Sequence, residues 1–283
     1  MTKKAVLINV LSGLGKCSLT AAIPVLSVMG IQACPMPTAV LTSQTGFKSF
    51  YCNDCTDKLD YYTSEWKKLG FQPDGIYTGF LSSEKQVDKI LDFINSFETE
   101  NTLVLVDPVM GDGGRTYSLF TDALACKMKK LVTVADVITP NLTECCILCD
   151  VDYCEFIKNA DKPDFMDKIA ELGKNLLNRY GVKIVIITGI EHKDIDGTMY
   201  VQNLIASKDE VFSVSCKKIG GSYSGTGDLF ASVMFSGLLR GDTLRDTVSL
   251  AVKFIETSLR DTVALGIDRN EGIEFEKHLK ILL

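Results

Sequence analysis

Short apolar runs alternate with longer amphipathic stretches along most of the chain. Ala5–Leu11, Ala39–Leu41, Gly75–Thr78, Thr102–Val106, Asp136–Ile138 and Ile184–Ile187 are short and apolar, and read as strands. Between them, Ser18–Met29, Asp57–Leu69, Ser83–Phe97, Leu119–Leu131, Asn141–Cys149 and Phe165–Tyr180 carry apolar residues at helical spacing. Ser82-Ser83-Glu84 opens one of these helices and Gly181 closes another. Continuous apolar strands alternating with amphipathic helices predict an α/β fold, a mostly parallel sheet with helices on both faces. After Thr188 the rhythm changes. Met199–Ile205 and Glu210–Cys216 read as antiparallel strands around the polar turn Ser207-Lys208-Asp209. Gly227–Leu239, Thr243–Arg260 and a short segment from Glu271 read as helices. No repeat, low-complexity tract or linker breaks the pattern, so residues 1–283 are expected to form one domain.

Composition narrows the function classes. A chain of 283 residues, 46% hydrophobic and 23% charged, can bury a large core without disulfide or metal staples. Thirty basic against 36 acidic residues give a net charge of −6, which argues against a nucleic-acid binder. No apolar run approaches the ~20 residues of a membrane helix. Lys3-Lys4 precede Ala5–Leu11, but that run is short for a signal peptide and no small-residue cleavage site follows, so a cytoplasmic location is expected. Of ten cysteines, Cys52-Asn-Asp-Cys55 and Cys146-Ile-Leu-Cys149 have metal or redox spacing. The second sits on an apolar helical stretch, and His192 and His278 pair with nothing, so reduced thiols are expected.

In an open parallel sheet, ligands bind outside the carboxyl ends of the strands. Gly225-Thr226-Gly227-Asp228 immediately precedes an apolar helix, where glycines admit close approach and helix N–H groups attract anions. An acidic residue there suits a phosphoryl transfer in which Asp228 takes a proton; a helix-terminal carboxylate favoured by the dipole explains it equally well. Asp107 and Asp112 flank a loop that continues into Gly113-Gly114, suiting a hydrated Mg²⁺ or a simple turn. Thr139-Pro140-Asn141-Leu142-Thr143-Glu144 and Thr188-Gly189 follow two further strands; Asn141 or Thr143 suits a helix cap, with Glu144 in the first turn. Ser12-Gly13-Leu14-Gly15-Lys16-Cys17-Ser18 looks like a phosphate-binding P-loop but fails it, with Val10 and Cys17 where Gly and Ser or Thr are needed.

In this order the motifs resemble the ribokinase-like superfamily and, within it, the pyridoxal kinase family. Ser12-Gly13, the loop Thr42–Phe47, Thr78-Gly79-Phe80-Leu81, Asp107–Asp112, Thr139–Glu144, Ile187–Gly189 and Gly225–Asp228 follow one another along nearly the whole chain. The tract Gly111–Tyr117 favours pyridoxal kinases over the related hydroxymethylpyrimidine kinases. The resemblance implies a three-layer sandwich and ATP-dependent phosphorylation of the 5′-hydroxymethyl group of pyridoxal, pyridoxamine or pyridoxine. It implies Asp228 as general base, with the N–H groups of Gly225, Thr226 and Gly227 as an anion hole. Asp107, Asp112 and Glu144 would hold Mg²⁺ through water, with room for a monovalent cation such as K⁺. Thr139, Asn141 and Thr188, with the 225–227 turn, would lie along the ATP phosphates. Ser12, Thr45 and Gln44 would bond the vitamer, with Phe80 near its ring, and residues 110–118 and 190–224 would cover the site. A homodimer is also implied.

Gln44 stands where the family usually has His, which leaves the preferred vitamer open. A hydroxymethylpyrimidine or other small-alcohol kinase of the same fold is the nearest alternative. A non-catalytic vitamer-binding protein or a thiol redox protein using Cys52 and Cys55 are the readings from other classes.

Overall fold

The computed structural model describes residues 1–117, 121–160 and 162–283. β1 (Lys4–Ser12) leads through a Gly-rich turn into α1 (Ser18–Val28), β2 (Gln32–Leu41) and the short strand β3 (Cys52–Asp54). α2 (Leu59–Lys68), β4 (Gly75–Thr78) and α3 (Glu84–Phe97) follow. Next come β5 (Leu103–Val106), a small hairpin of β6 (Gly111–Asp112) and β7 (Arg115–Thr116), α4 (Asp122–Val132) and β8 (Val137–Ile138). α5 (Leu142–Cys149), α6 (Tyr153–Ile157) and α7 (Phe165–Tyr180) precede β9 (Ile184–Lys193), β10 (Met199–Ser207) and β11 (Val211–Lys217). α8 (Thr226–Arg240) and α9 (Leu244–Ala264) end the regular elements, and residues from Glu276 form a 3₁₀ turn. No helix among the described residues is long and apolar enough to cross a membrane.

The chain divides into two compact units. The first comprises Met1–Leu81, Asp88–Leu103 and Ile219–Leu283. Its strands run in the order β4-β1-β2-β3, with β1 parallel to β2 and β4 and β3 antiparallel to β2. Ala5, Val6, Leu7 and Ile8 are fully buried, as a strand covered on both faces requires. The Tyr77 and Phe235 rings, 5.8 Å apart, join β4 to α8. β2 starts at Gln32, well before the predicted Ala39. Pro35 and Pro37 hide it in the sequence, because proline usually argues against a strand. Gln32 N–H bonds the Lys3 carbonyl, so the alternate residues Pro35 and Pro37 turn their ring nitrogens from β1, toward an edge that β3 covers only at Ala39–Leu41.

The second unit comprises Ser82–Val87 and Val104–Lys218. β5, β8 and β9 are parallel, and β10 and β11 continue the order antiparallel. β9 runs six residues past the predicted end at Ile187, through a register shift opposite Gln202–Leu204. Thr188 and Gly189 therefore lie at an irregularity inside a strand, and Asn203 Oδ1 accepts the Gly189 N–H at 3.2 Å. α4 begins at Asp122, with the Thr121 hydroxyl accepting Leu124 N–H at 3.0 Å. Leu119 and Phe120 of the predicted helix, and position 118 of the expected covering segment, lie outside the described residues.

Candidate functional site

In the first unit, the 225–228 turn opens α8. Gly225 has φ +82°, and a Cβ there would lie 1.9 Å from the Lys16 carbonyl oxygen, so only glycine fits. The Thr226 hydroxyl donates to the Tyr223 carbonyl at 3.1 Å. The first-turn N–H groups that follow are outside the helical ladder and face outward with the positive end of the dipole. Asp228 is half-buried in this first turn. Burial pushes its carboxyl above the ordinary value, while hydrogen bonds from Ser18 N–H and the Asn9 amide pull it back. The Asn9 Nδ2 donates to Asp228 Oδ1 at 3.2 Å.

Ser12 ends β1, buried, and accepts a thiol contact from Cys17 at 3.7 Å. Burial pushes the Cys17 thiol up to about 11, with the Asp228 charge adding to it. Phe80 lies against Val10, Ala39 and Leu41. Thr45 is exposed. Gln44 is buried and internally engaged: its Oε1 accepts Gly46 N–H at 2.7 Å, and its Nε2 donates to the Asn270 carbonyl at 3.0 Å. The amide thus ties the 42–47 loop to residues 265–275, the C-terminal strap between α9 and the 3₁₀ turn. Lys16, the decoy P-loop lysine, is ion-paired with Glu274 and with Glu276.

In the second unit, Asp107 follows β5 and accepts the Thr139 hydroxyl at 3.0 Å. Glu144 and Asn141 form a reciprocal cap on α5. Glu144 Oε1 also accepts Met110 N–H at 3.0 Å, and Asn141 Nδ2 donates to the Gly111 carbonyl at 2.8 Å. Gly114 N–H donates to Thr143 Oγ1 at 2.9 Å, so the α5 start grips the 107–114 loop at three points. Thr188 N–H donates to the Pro140 carbonyl at 2.9 Å, bringing Thr188 beside Asn141.

Burial drives the Glu144 carboxyl well above the ordinary range, the Asp107 charge adds to the rise, and the N–H groups of Met110, Asn141 and Gly111 oppose it. Asp112 is exposed and accepts Gly113 N–H at 2.8 Å. The Asp107 and Glu144 carboxylates are close enough for one charge to act on the other, and among the described residues no third His, Cys, Asp or Glu, Asp112 included, joins them as a metal cluster.

The family described as phosphomethylpyrimidine kinase matches residues 19–272. The chain belongs to that family. A Schizosaccharomyces pombe protein named as a pyridoxal kinase is 29% identical over 207 residues, 71% of this chain and 57% of its own, so the chain spans little more than half of that relative. A hydroxymethylpyrimidine/phosphomethylpyrimidine kinase of Staphylococcus aureus is 27% identical over 198 residues, 70% of this chain and 66% of its own. A Bacteroides thetaiotaomicron protein named as a phosphomethylpyrimidine kinase, in a crystal form with pyridoxal, matches with a TM-score of 0.91 and 38% identity over 100% of this chain and 96% of its own. Pyridoxal kinase from Lactobacillus plantarum gives a TM-score of 0.87 and 25% identity over 100% and 97%. The ribokinase-like α/β fold and the resemblance to pyridoxal kinases implied by the motif order both hold.

Two contributors in this family member escape a motif reading. Asn9 touches the Asp228 carboxylate, and its signal is a lone polar residue inside the apolar run Ala5–Leu11. Asn270, whose carbonyl fixes Gln44, lies in a strap with no pattern of its own.

Proposed function

We propose that the chain is an ATP-dependent kinase that phosphorylates the 5′-hydroxymethyl group of a vitamin B6 vitamer. The observation that carries this reading is the Asp228 carboxylate, held by two donors in the first turn of a helix whose preceding turn only glycine can make. A carboxylate there would repel a bound phosphate unless its task is to take the proton of the attacking hydroxyl. The hydroxyl oxygen forms the new bond to the γ-phosphorus of ATP, the bond to the bridging oxygen breaks, and ADP leaves. The backbone N–H groups of Gly225, Thr226 and Gly227 stabilise the charge on the transferred group.

Ser12 and Thr45 bond the pyridine ring, and Phe80 with Val10, Ala39 and Leu41 offers it an apolar bed. Gln44 shapes the loop through its engaged amide. Thr139, Asn141 and Thr188 accompany the ATP phosphates. Asp107 and Glu144 are buried oxygen donors that repel each other, a pair suited to a hard divalent cation. Asp107 and Glu144, with Asp112, would hold Mg²⁺, which would neutralise phosphate charge, and the same carboxylates would suit a monovalent cation such as K⁺. A homodimeric, cytoplasmic enzyme belongs to the same reading.

A pyridoxal-bearing crystal of a protein 38% identical over the whole chain supports the vitamer as acceptor. The second reading, a hydroxymethylpyrimidine kinase, is favoured by the family description and the staphylococcal relatives. ADP release measured with pyridoxal, pyridoxamine, pyridoxine and hydroxymethylpyrimidine separates them. Turnover of any B6 vitamer is expected; turnover of the pyrimidine alone would select the second reading.

A further inference from the structure

Asn9 is 2% exposed in the middle of β1, directly after the fully buried run Ala5–Ile8. Its amide is fully oriented. The Oδ1 accepts two backbone N–H groups, from Val10 at 2.8 Å and from Phe80 at 3.1 Å. A flipped amide would set its NH₂ against both donors, so the Nδ2 is left to face Asp228 Oδ1 at 3.2 Å. The chain makes room for this group. A Cβ on Gly79 would lie 2.1 Å from the Asn9 Nδ2. A buried polar side chain with all these partners supplied by the fold, and aimed at one carboxylate, has more than a packing role.

We propose that Asn9 is a positioning residue for phosphoryl transfer: its locked amide donates to Asp228 and holds that carboxylate in one orientation toward the acceptor hydroxyl. The inference rests on the reading of Asp228 as the base. Donation to the charged form also favours the deprotonated carboxylate, opposing the effect of burial. Asn9 shares the carboxylate with one other donor and is its side-chain donor. Ser18 contributes a backbone N–H from α1, and the Cys17 thiol, pushed to about 11, is neutral at working pH. Lys16, on the same turn, is engaged by Glu274 and Glu276.

Asn9→Asp replaces the fixed NH₂ donor with a carboxyl that still accepts the Val10 and Phe80 N–H groups and, when ionised, repels Asp228, so the pair of carboxyls shares a proton. In the pH profile of kcat/KM with ATP, Mg²⁺ and pyridoxal, the acidic limb of this variant should move upward by about one pH unit or more, a ten-fold change in proton affinity. Part of the rate should return at alkaline pH, with KM for ATP unchanged. A wild-type acidic limb, or a rate lowered equally at every pH, would overturn the inference. If the buried carboxylate prevents folding, Asn9→Ala carries the same test: it removes the donor without adding charge, and its acidic limb should also move upward. Asp228→Asn is run alongside. Normal turnover by that variant overturns the base reading itself, whereas an inactive Asp228→Asn with an unshifted Asn9 profile rejects only the role given to Asn9.

Discussion

Asn141 and Glu144 cap each other across the first turn of α5: Asn141 N–H donates to Glu144 Oε2 at 2.8 Å, and Glu144 N–H donates to Asn141 Oδ1 at 3.0 Å. The cap leaves a buried carboxylate beside Asp107. The native state therefore holds the Glu144 proton more tightly than the unfolded chain does. That contribution to stability is full below about 4.5 and is lost as pH rises through the raised value. Urea midpoints of the wild type should fall relative to those of Glu144→Gln as pH is raised from 4 to 8. Mg²⁺ should raise the melting temperature of the wild type more than that of the variant. Parallel pH curves with no Mg²⁺ difference would remove Glu144 from the cation site.

Gly225 tests the shape of the anion turn. Gly225→Ala sets a Cβ into the Lys16 carbonyl at a positive φ, which costs at least about 1–3 kcal/mol of strain. A lower melting temperature and a kcat loss larger than the change in vitamer KM are expected. Wild-type kcat would mean that the turn tolerates distortion and does not serve as the anion hole.

Lys16 tests the decoy. Its amine belongs to Glu274 and Glu276, so Lys16→Met should leave the KM for ATP unchanged while loosening the C-terminal strap, seen as faster proteolysis there. A large rise in that KM would return Lys16 to nucleotide binding.

The thiols test the redox alternative. Cys52 is exposed on β3, and burial raises both the Cys52 and Cys55 thiols rather than activating them. The double variant Cys52→Ser/Cys55→Ser should keep full kinase turnover. Loss of turnover with the fold intact would favour thiol chemistry.

The strands buried on both faces were legible because their apolar runs are continuous: Ala5–Leu11 and Ile184–Ile187 lie within β1 and β9. Elements with mixed faces were not. The prolines of β2 broke its pattern, and the outer half of β9, with Glu191, His192 and Lys193, alternates without an apolar run. At the candidate site, Asp107–Asp112 and Thr139–Glu144 stood out because they follow strand ends, and Gly225–Asp228 because it opens a helix, whereas Thr188-Gly189 lies inside β9. What they do locally depended on partners far away in sequence. The Glu144 capping box is a local signal, but its grip on Met110 N–H is not, and neither is the Gln44 bond to Asn270. Nothing in the order of residues says that Asn9 meets Asp228.

The proposed function turns on Asp228 taking the proton from a vitamer hydroxyl as ATP gives up its γ-phosphoryl group. The most direct measurement is single-turnover formation of phosphorylated pyridoxal, followed by mass, for the wild type and Asp228→Asn side by side at saturating ATP and Mg²⁺. The wild type should convert pyridoxal, and the variant should bind ATP comparably yet react about 10²–10⁴-fold more slowly, the loss typical of a missing general base. Equal rates in the two proteins, or no phosphorylated pyridoxal from the wild type, would contradict it.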